Sequence, residues 1–199
     1  MAKEWRLIIV LTVIALVSGA ILGLVNVWTE PVIKEQEALA KQKSLQQALP
    51  EAAEFRAETA LLEELPPDET TGITELYRGF RAEQPVGFVF ILNQRGYASG
   101  IQMAVGVTQE GKLAGINIIS QGETPGLGAR VTDEEFLNQQ AFREATVKRQ
   151  LAVTKDQGKV EAITNATVSS RAVVRGVNAA LAAARSLLAA EKEMGGALQ

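Results

Sequence analysis

Residues 7–29, LIIVLTVIALVSGAILGLVNVWT, contain no charged side chain, and this run of 23 constrains the chain more than any other feature. As a helix it is roughly 34 Å long at about 1.5 Å per residue, enough to cross the hydrocarbon core of a bilayer with some tilt. A cleaved signal peptide is the competing reading. Its apolar core is about 7–15 residues long and ends at a small-x-small site. Here the run is longer and passes into Asn26-Val27-Trp28-Thr29-Glu30 without an Ala-x-Ala exit. The segment is therefore read as an uncleaved, single-pass anchor. Lys3 and Arg6 precede it, which by the positive-inside rule puts the N-terminus in the cytoplasm and the main domain outside, across the cell (inner) membrane. Trp5 and Trp28, the two tryptophans, flank the run as interfacial residues do. Gly19 and Gly23 make a G-x-x-x-G that suits close approach by another membrane helix, although glycine is common enough in such helices for chance to produce it.

Behind the anchor, residues 30–49 are rich in Glu, Gln, Lys and Ala and suit a helical stalk, with Pro31 in a first turn and Pro50 as its stop. Residues 51–70 are acidic, contain Pro66-Pro67 and read as an irregular connection. From Gly72 the pattern turns to period two, with strand candidates at 73–80, 86–92, 101–107 and 113–119. Turn signals separate them at Gln84-Pro85, Gln94-Arg95-Gly96 and Gln109-Glu110-Gly111-Lys112, and the close spacing predicts antiparallel hairpins. Residues 132–143 read as a short helix capped by Thr132 or Asp133. Residues 151–153 and 160–163 suit two short strands around Lys155-Asp156-Gln157-Gly158. Residues 169–193 close the chain as a helix with Ala172, Val173, Val177, Ala180, Leu181, Ala184, Leu187 and Leu188 along one apolar stripe. The expected fold is α+β: a single N-terminal transmembrane helix, then a twisted antiparallel sheet packed with helices. Three regions follow, 1–29 as anchor, 30–71 as stalk and connection, and 72–199 as the folded domain.

The chain has no cysteine and no histidine. That excludes disulfides, thiol nucleophiles, Fe–S ligation by cysteine and histidine-based acid–base or metal chemistry. No metal site is assigned. Redox work by this chain would need an organic cofactor, because no side chain here carries electrons readily. The net charge is −3 and no Lys/Arg-rich run is present, so nucleic acid is not an expected partner.

Chemistry concentrates in residues 161–170, Glu161-Ala162-Ile163-Thr164-Asn165-Ala166-Thr167-Val168-Ser169-Ser170. This segment ends a strand-like run and opens the closing helix, so a hydroxyl cluster meets unpaired N–H groups and the positive end of a helix dipole, where an anion such as phosphate is favoured. An ordinary N-cap explains the same residue types. The loop Gly122-Glu123-Thr124-Pro125-Gly126-Leu127-Gly128 pairs one fixed backbone angle at Pro125 with two permissive glycines. By itself it also suits a tight strand-to-helix connection without a ligand.

Residues 161–167 resemble the flavinylation motif of proteins that carry FMN covalently, an acidic residue, two spacers, Ser or Thr, then Gly-Ala-Thr. Residues 123–128 resemble the Glu-Thr-Pro-Gly-Leu-Gly signature of the same FMN-binding domain family. With one membrane helix in front, the pattern is similar to the G subunit of the Rnf electron-transport complex, whose homologue is the C subunit of the sodium-pumping quinone reductase; the short length favours the former. The resemblance implies that a separate flavin transferase joins the FMN phosphate to Thr167. It also implies that Glu123, Thr124, Gly126, Leu127 and Gly128 meet the flavin, that Thr164, Asn165 and Ala166 let it lie close to the backbone, and that Ser169 and Ser170 are in reach of the phosphate. Arg171 is as readily a solvated helix residue as a phosphate contact, and Lys155 is either a solvated turn lysine or a partner for the flavin's polar edge. For the complex, the resemblance implies ferredoxin oxidation coupled to NAD reduction and ion movement, with other membrane subunits as partners.

Two positions depart from the pattern: Asn165 stands where the family has Gly, and Glu161 where it has Asp. Asn tolerates a left-handed backbone better than most side chains, so the turn is expected to survive. Asn165 is also the feature that favours a rival, a membrane-anchored binding or assembly module with a vestigial flavin site. A stand-alone FMN-binding reductase component is a second rival. A Ser/Thr hydrolase is a poor fit, since no histidine and no Ser-x-x-Lys pair is present.

Overall fold

The computed structural model of the protein describes residues 2–67 and 69–196. Met1 and Asp68, which fall within the expected anchor region and the 51–70 connection, lie outside the described residues. The chain divides into two compact units, Met1–Lys41 and Gln42–Gln199.

The first unit is helical. It belongs to α1, Ala2–Ala48, and contains the apolar stretch Ile8–Glu30, whose side chains are exposed throughout. Pro50 ends α1 two residues on, as expected, since proline cannot continue the helical hydrogen bonding.

The second unit is built on a five-stranded antiparallel sheet in sequential order. Its strands are β1 (Glu54–Ala57), β2 (Ile73–Arg81), β3 (Gln84–Arg95), β4 (Gly100–Thr108) and β5 (Leu113–Gln121). The four expected strands appear one to three residues longer at their ends. β1 is additional: Glu54-Phe55-Arg56-Ala57 pairs with Tyr77–Phe80. Its four residues are mostly exposed and show no alternation that period-two reading could detect. The β2–β3 turn falls at Ala82 (φ 47°) and Glu83 (φ 67°), two positions ahead of the expected Gln84-Pro85. Both central residues are left-handed, as tight hairpins require, but neither is the Gly or Asn that would have marked the turn. Pro85 instead sits at the start of β3, where a bulge separates Gly79 from Phe80 on the partner strand.

Period two sorts β3 and β4 onto two faces. Phe88, Phe90, Leu92, Ile101, Met103, Val105 and Val107 pack on one side with α4 (Thr167–Gly196). All eight residues of the expected helical stripe are buried there. Val89, Ile91 and Ala104 face the other side, against Leu45 and Ala48 at the end of α1 and Leu49 just beyond it. That contact is backbone-close: a Cβ on Gly106 would stand 2.0 Å from the Ala48 carbonyl oxygen. Burying each large side chain contributes about 1.5–3 kcal/mol, so the two-sided sheet is the scaffold on which the site is held. The expected helix at 132–143 is two single turns, α2 (Glu134–Leu137) and α3 (Gln140–Arg143). Asp133 stands at the cap position, but its carboxylate accepts from Arg130 Nε (3.0 Å) rather than capping. Residues 151–153 and 160–163 form one isolated bridge, Val153 with Val160, in place of two strands.

Candidate functional site

The first turn of α4 is set by Ala166, whose carbonyl accepts the first helical bond from Ser170 N–H (3.0 Å). The N–H groups of Thr167, Val168 and Ser169 therefore have no intrahelical partner, and the positive end of a 30-residue helix opens at Thr167. The chain enters this turn through Asn165, which is left-handed (φ 62°). The expectation for Asn165 holds: its short polar side chain tolerates the backbone that Gly adopts at no cost. Asn165→Gly is accordingly expected to keep the turn and leave stability equal or higher by up to about 1 kcal/mol, whereas Asn165→Val is expected to lose about 1–2 kcal/mol. Thermal unfolding of the purified variants reads both, and a Val variant as stable as wild type would show that the turn is not under this constraint.

Beneath the turn, two serines are used by the fold. The Ser170 hydroxyl is fully buried; it donates to the Ala166 carbonyl (3.0 Å) and accepts from Ile163 N–H (3.0 Å). The Ser169 hydroxyl donates to Glu123. Glu123 is itself buried, and its carboxylate also accepts the N–H groups of Tyr97 (3.2 Å), Ala98 (3.0 Å) and Ser99 (3.1 Å). Burial pushes the Glu123 carboxyl up, but the bonds from Ser169, Ser99, Ala98 and Tyr97 outweigh it and hold it below the ordinary range. One ionised carboxylate thus ties the β3–β4 loop, the 122–128 loop and the start of α4 together. Gly128 is needed at this junction, since a Cβ there would stand 2.6 Å from both Glu123 Oε2 and Ser169 Oγ.

The three segments enclose a cleft of about 410 Å³ lined by both motifs: Glu123, Thr124, Leu127 and Gly128 on one wall, Asn165, Ala166, Thr167, Val168 and Ser169 on the other, with Tyr97 at its edge. Lys155 reaches it from outside, its Nζ donating to Thr167 Oγ1 (3.0 Å). Arg171 is not turned to the cleft. It pairs with Asp156 through two bonds of 2.7 and 2.6 Å, and this pair braces the turn that carries Lys155. The Asp156 carboxyl is held below its ordinary range by the Arg171 hydrogen bonds.

Eight of the twelve residues singled out from sequence line this cleft. Lys155 touches Thr167 from its rim, and Ser170 lies buried under it. Gly126 (φ 75°) turns the loop with open space on its Cβ side. Thr164 lines a smaller neighbouring cleft of about 180 Å³ with Arg130, Asp133 and Glu161. Tyr97 and Val168 went unrecognised. The available signal for each was an apolar side chain where none is needed for packing: Tyr97 follows Gly96 in a hairpin turn, and Val168 interrupts the hydroxyl run.

The segments that enclose this cleft fall in a known class of flavin-nucleotide-binding module: residues 96–182 match the FMN-binding domain family, and residues 8–48 match the RnfG N-terminal region. The chain is 31% identical to the G subunit of the Na(+)-translocating ferredoxin:NAD(+) oxidoreductase complex of Acetobacterium woodii, over 88% of this chain and 90% of that protein. It is 32% identical to the G subunit of an ion-translocating oxidoreductase complex from Methanosarcina acetivorans, over 88% and 92% of the two chains. This chain therefore belongs to the G-subunit family of the Rnf complexes. Among solved structures, the C subunit of the Na(+)-translocating NADH-quinone reductase from Parabacteroides distasonis is similar at 22% identity and a TM-score of 0.48, with 57% of this chain and 62% of that one covered.

Proposed function

We propose that this chain is a membrane-anchored electron-carrier subunit of an Rnf-type ferredoxin:NAD oxidoreductase coupled to ion translocation, holding FMN through a phosphoester on Thr167. One observation carries the reading: two motifs about forty residues apart in sequence meet in one cleft, with the Thr167 hydroxyl at the open end of α4.

The residues present fit the cofactor. Three unpaired N–H groups, the helix dipole and the Lys155 ammonium supply the donor set that a phosphate needs at Thr167 Oγ1. Thr124, Leu127, Gly128, Asn165 and Ala166 offer small or apolar surface for a flat ring. Glu123, Ser169 and Ser170 hold the walls through bonds already made within the protein. Gly126 turns the loop, and Thr164 leads into the attachment turn. FMN, when bound, supplies the electron transfer that no side chain here can perform. Among the described residues no base faces the Thr167 hydroxyl, since Lys155 donates to it. That supports attachment by a separate flavin transferase.

The apolar stretch Ile8–Glu30 supports a single-pass anchor in the cell membrane, with the N-terminus cytoplasmic and the FMN-binding domain beyond it. α4 is also long and apolar, but it is packed in the core. Residues 1–29 then serve as anchor, 30–71 as stalk and connection, and 72–199 as the FMN-binding domain, to whose sheet the connection adds β1 as an edge strand. A covalent bond suits a carrier kept away from the cytoplasmic flavin pool, and the other membrane subunits would be its donor and acceptor. The left-handed turn at Asn165 is formed, which leaves the vestigial-site reading without its main support. The test is denaturing electrophoresis of the protein co-produced with a flavin transferase. A fluorescent band from the membrane fraction, with flavin mass on the peptide containing Thr167, is the expected result. A dark band would return the assembly-module reading to the front.

A further inference from the structure

Charge is unevenly placed along this acidic chain. Residues 51–83 carry nine Asp and Glu against three Lys and Arg, whereas residues 140–185 carry eight Lys and Arg against three Asp and Glu. Much of the basic half gathers along one helix face. On α4, Thr167, Arg171, Arg175, Asn178, Ala182 and Arg185 recur every three or four residues and are all at least partly exposed, so they share the stripe turned away from the sheet. The segment 148–159 lies along that stripe and is tied to it at three points. The Asn178 side-chain amide donates to the Leu151 carbonyl (2.8 Å) and accepts Leu151 N–H (2.8 Å). Asp156 pairs with Arg171, and Lys155 meets Thr167.

These ties use Arg171, Asp156 and Lys155, and Arg185 pairs with Glu69 (3.2 Å). Lys148, Arg149, Lys159 and Arg175 are left exposed, and among the described residues none of the four is ion-paired. Glu144 lines one small cleft with Arg149 and Lys159, but its carboxylate accepts from Gln140 (2.6 Å). Arg175 donates to the Arg95 carbonyl (2.7 Å), which carries no charge. Like charges left on one face repel and weaken the isolated fold, whereas a face of opposite charge relieves them. We propose that this face docks an acidic surface of a partner subunit and seats it beside the flavin, the second half resting on the FMN reading above. The stripe begins at the attachment threonine, and Arg175 lies about 12 Å further along the helix at about 1.5 Å per residue. A standard protein interface buries about 800 Å² a side, a patch roughly 30 Å across, so a partner seated on Arg149 and Arg175 also reaches the edge of the cleft. A lipid surface has no need to meet the flavin; a protein that shares electrons with it does. Charges placed this way steer the partner in and fix its register.

The test is carbodiimide coupling in native membranes that hold the full chain and its complex, since this reagent joins an amine to a carboxylate only where the two touch. Lys148 and Lys159 are expected to be joined to Asp or Glu of another subunit, with a yield that falls several-fold as added salt screens the contact. The double variant Arg149→Glu, Arg175→Glu leaves both lysines in place and is expected to lower that yield several-fold, with covalent flavin content and thermal unfolding unchanged. The double variant Arg149→Lys, Arg175→Lys keeps the charge and is expected to keep the yield. Lysines joined only within their own chain, or a yield indifferent to charge reversal, would overturn the proposal. So would protection of Lys148 and Lys159 from acetylation when the full chain sits alone in phosphatidylglycerol liposomes but not in phosphatidylcholine ones, which would give the face to lipid. Inter-subunit coupling in a wild type without covalent flavin would keep the docking face and sink the FMN reading instead.

Discussion

Thr167→Ala is expected to remove covalent flavin completely while leaving the fold in place. The two effects separate because the Thr167 side chain contributes little to the helix it opens. The N-cap is Ala166, the buried hydroxyl that closes the turn is Ser170, and the carboxylate lock runs through Ser169. The substitution removes a half-buried hydroxyl and its bond with Lys155, and alanine is the best helix former. The stability change should stay within about 1 kcal/mol. The chemistry, by contrast, has no substitute: Ser169 and Ser170 hydroxyls are buried and committed elsewhere. Thr167→Ser keeps an oxygen at the same place and is expected to retain part of the loading. In-gel fluorescence after co-production with a transferase, beside thermal unfolding of the same samples, checks both halves. Flavin retained in the Ala variant would move the attachment to another hydroxyl.

Much of this site could be read before the fold was known, and the part that could not follows a physical pattern. The walls of the cleft are short contiguous motifs, and local chemistry announces those: Pro125 and the glycines of the 122–128 loop, the hydroxyls at the start of α4. The strands were legible because β3 and β4 are buried on both faces and their side chains alternate between two different cores. What sequence could not show is contact at a distance. Lys155 meets Thr167 because the Asp156–Arg171 pair and the Val153–Val160 bridge fold that turn back on α4. Tyr97 reaches the cleft only through Glu123, some 26 residues away. β1 escaped because an exposed edge strand of four residues needs no apolar pattern, only a neighbour to pair with.

Glu123 illustrates the same point and carries the second large effect. By motif it is a flavin residue; in the fold its carboxylate is filled by donors from two other segments. Oε1 accepts Ala98 and Ser99 N–H, while Oε2 accepts Tyr97 N–H and the Ser169 hydroxyl. Glu123→Gln nearly preserves shape but puts an NH₂ group where one of those oxygens was. Facing Ala98 and Ser99 it opposes two N–H donors. Facing Ser169 it can be accommodated by a turn of the hydroxyl, but Tyr97 N–H then has no acceptor. Each unmet buried donor costs about 1–3 kcal/mol, and the charge assistance of the remaining bonds is lost as well. A loss of roughly 2–3 kcal/mol is expected, together with reduced flavin loading as the 96–99 loop comes free of α4.

The pH dependence gives a sharper test than the size. The folded carboxyl is held below its ordinary value of 4.5, so the folded state favours the ionised form. Its contribution is complete above that ordinary value and fades as the pH falls through the lower folded value. Wild type and Glu123→Gln should therefore differ fully at neutral pH and converge in acid, where the glutamate is protonated and its own donors go unmet. Urea unfolding of both proteins from neutral pH downward measures the gap directly. A gap that stays constant to the acid limit would mean that the amide is merely a poor steric fit. Convergence would identify the ionised carboxylate as the group that holds the FMN-binding cleft together.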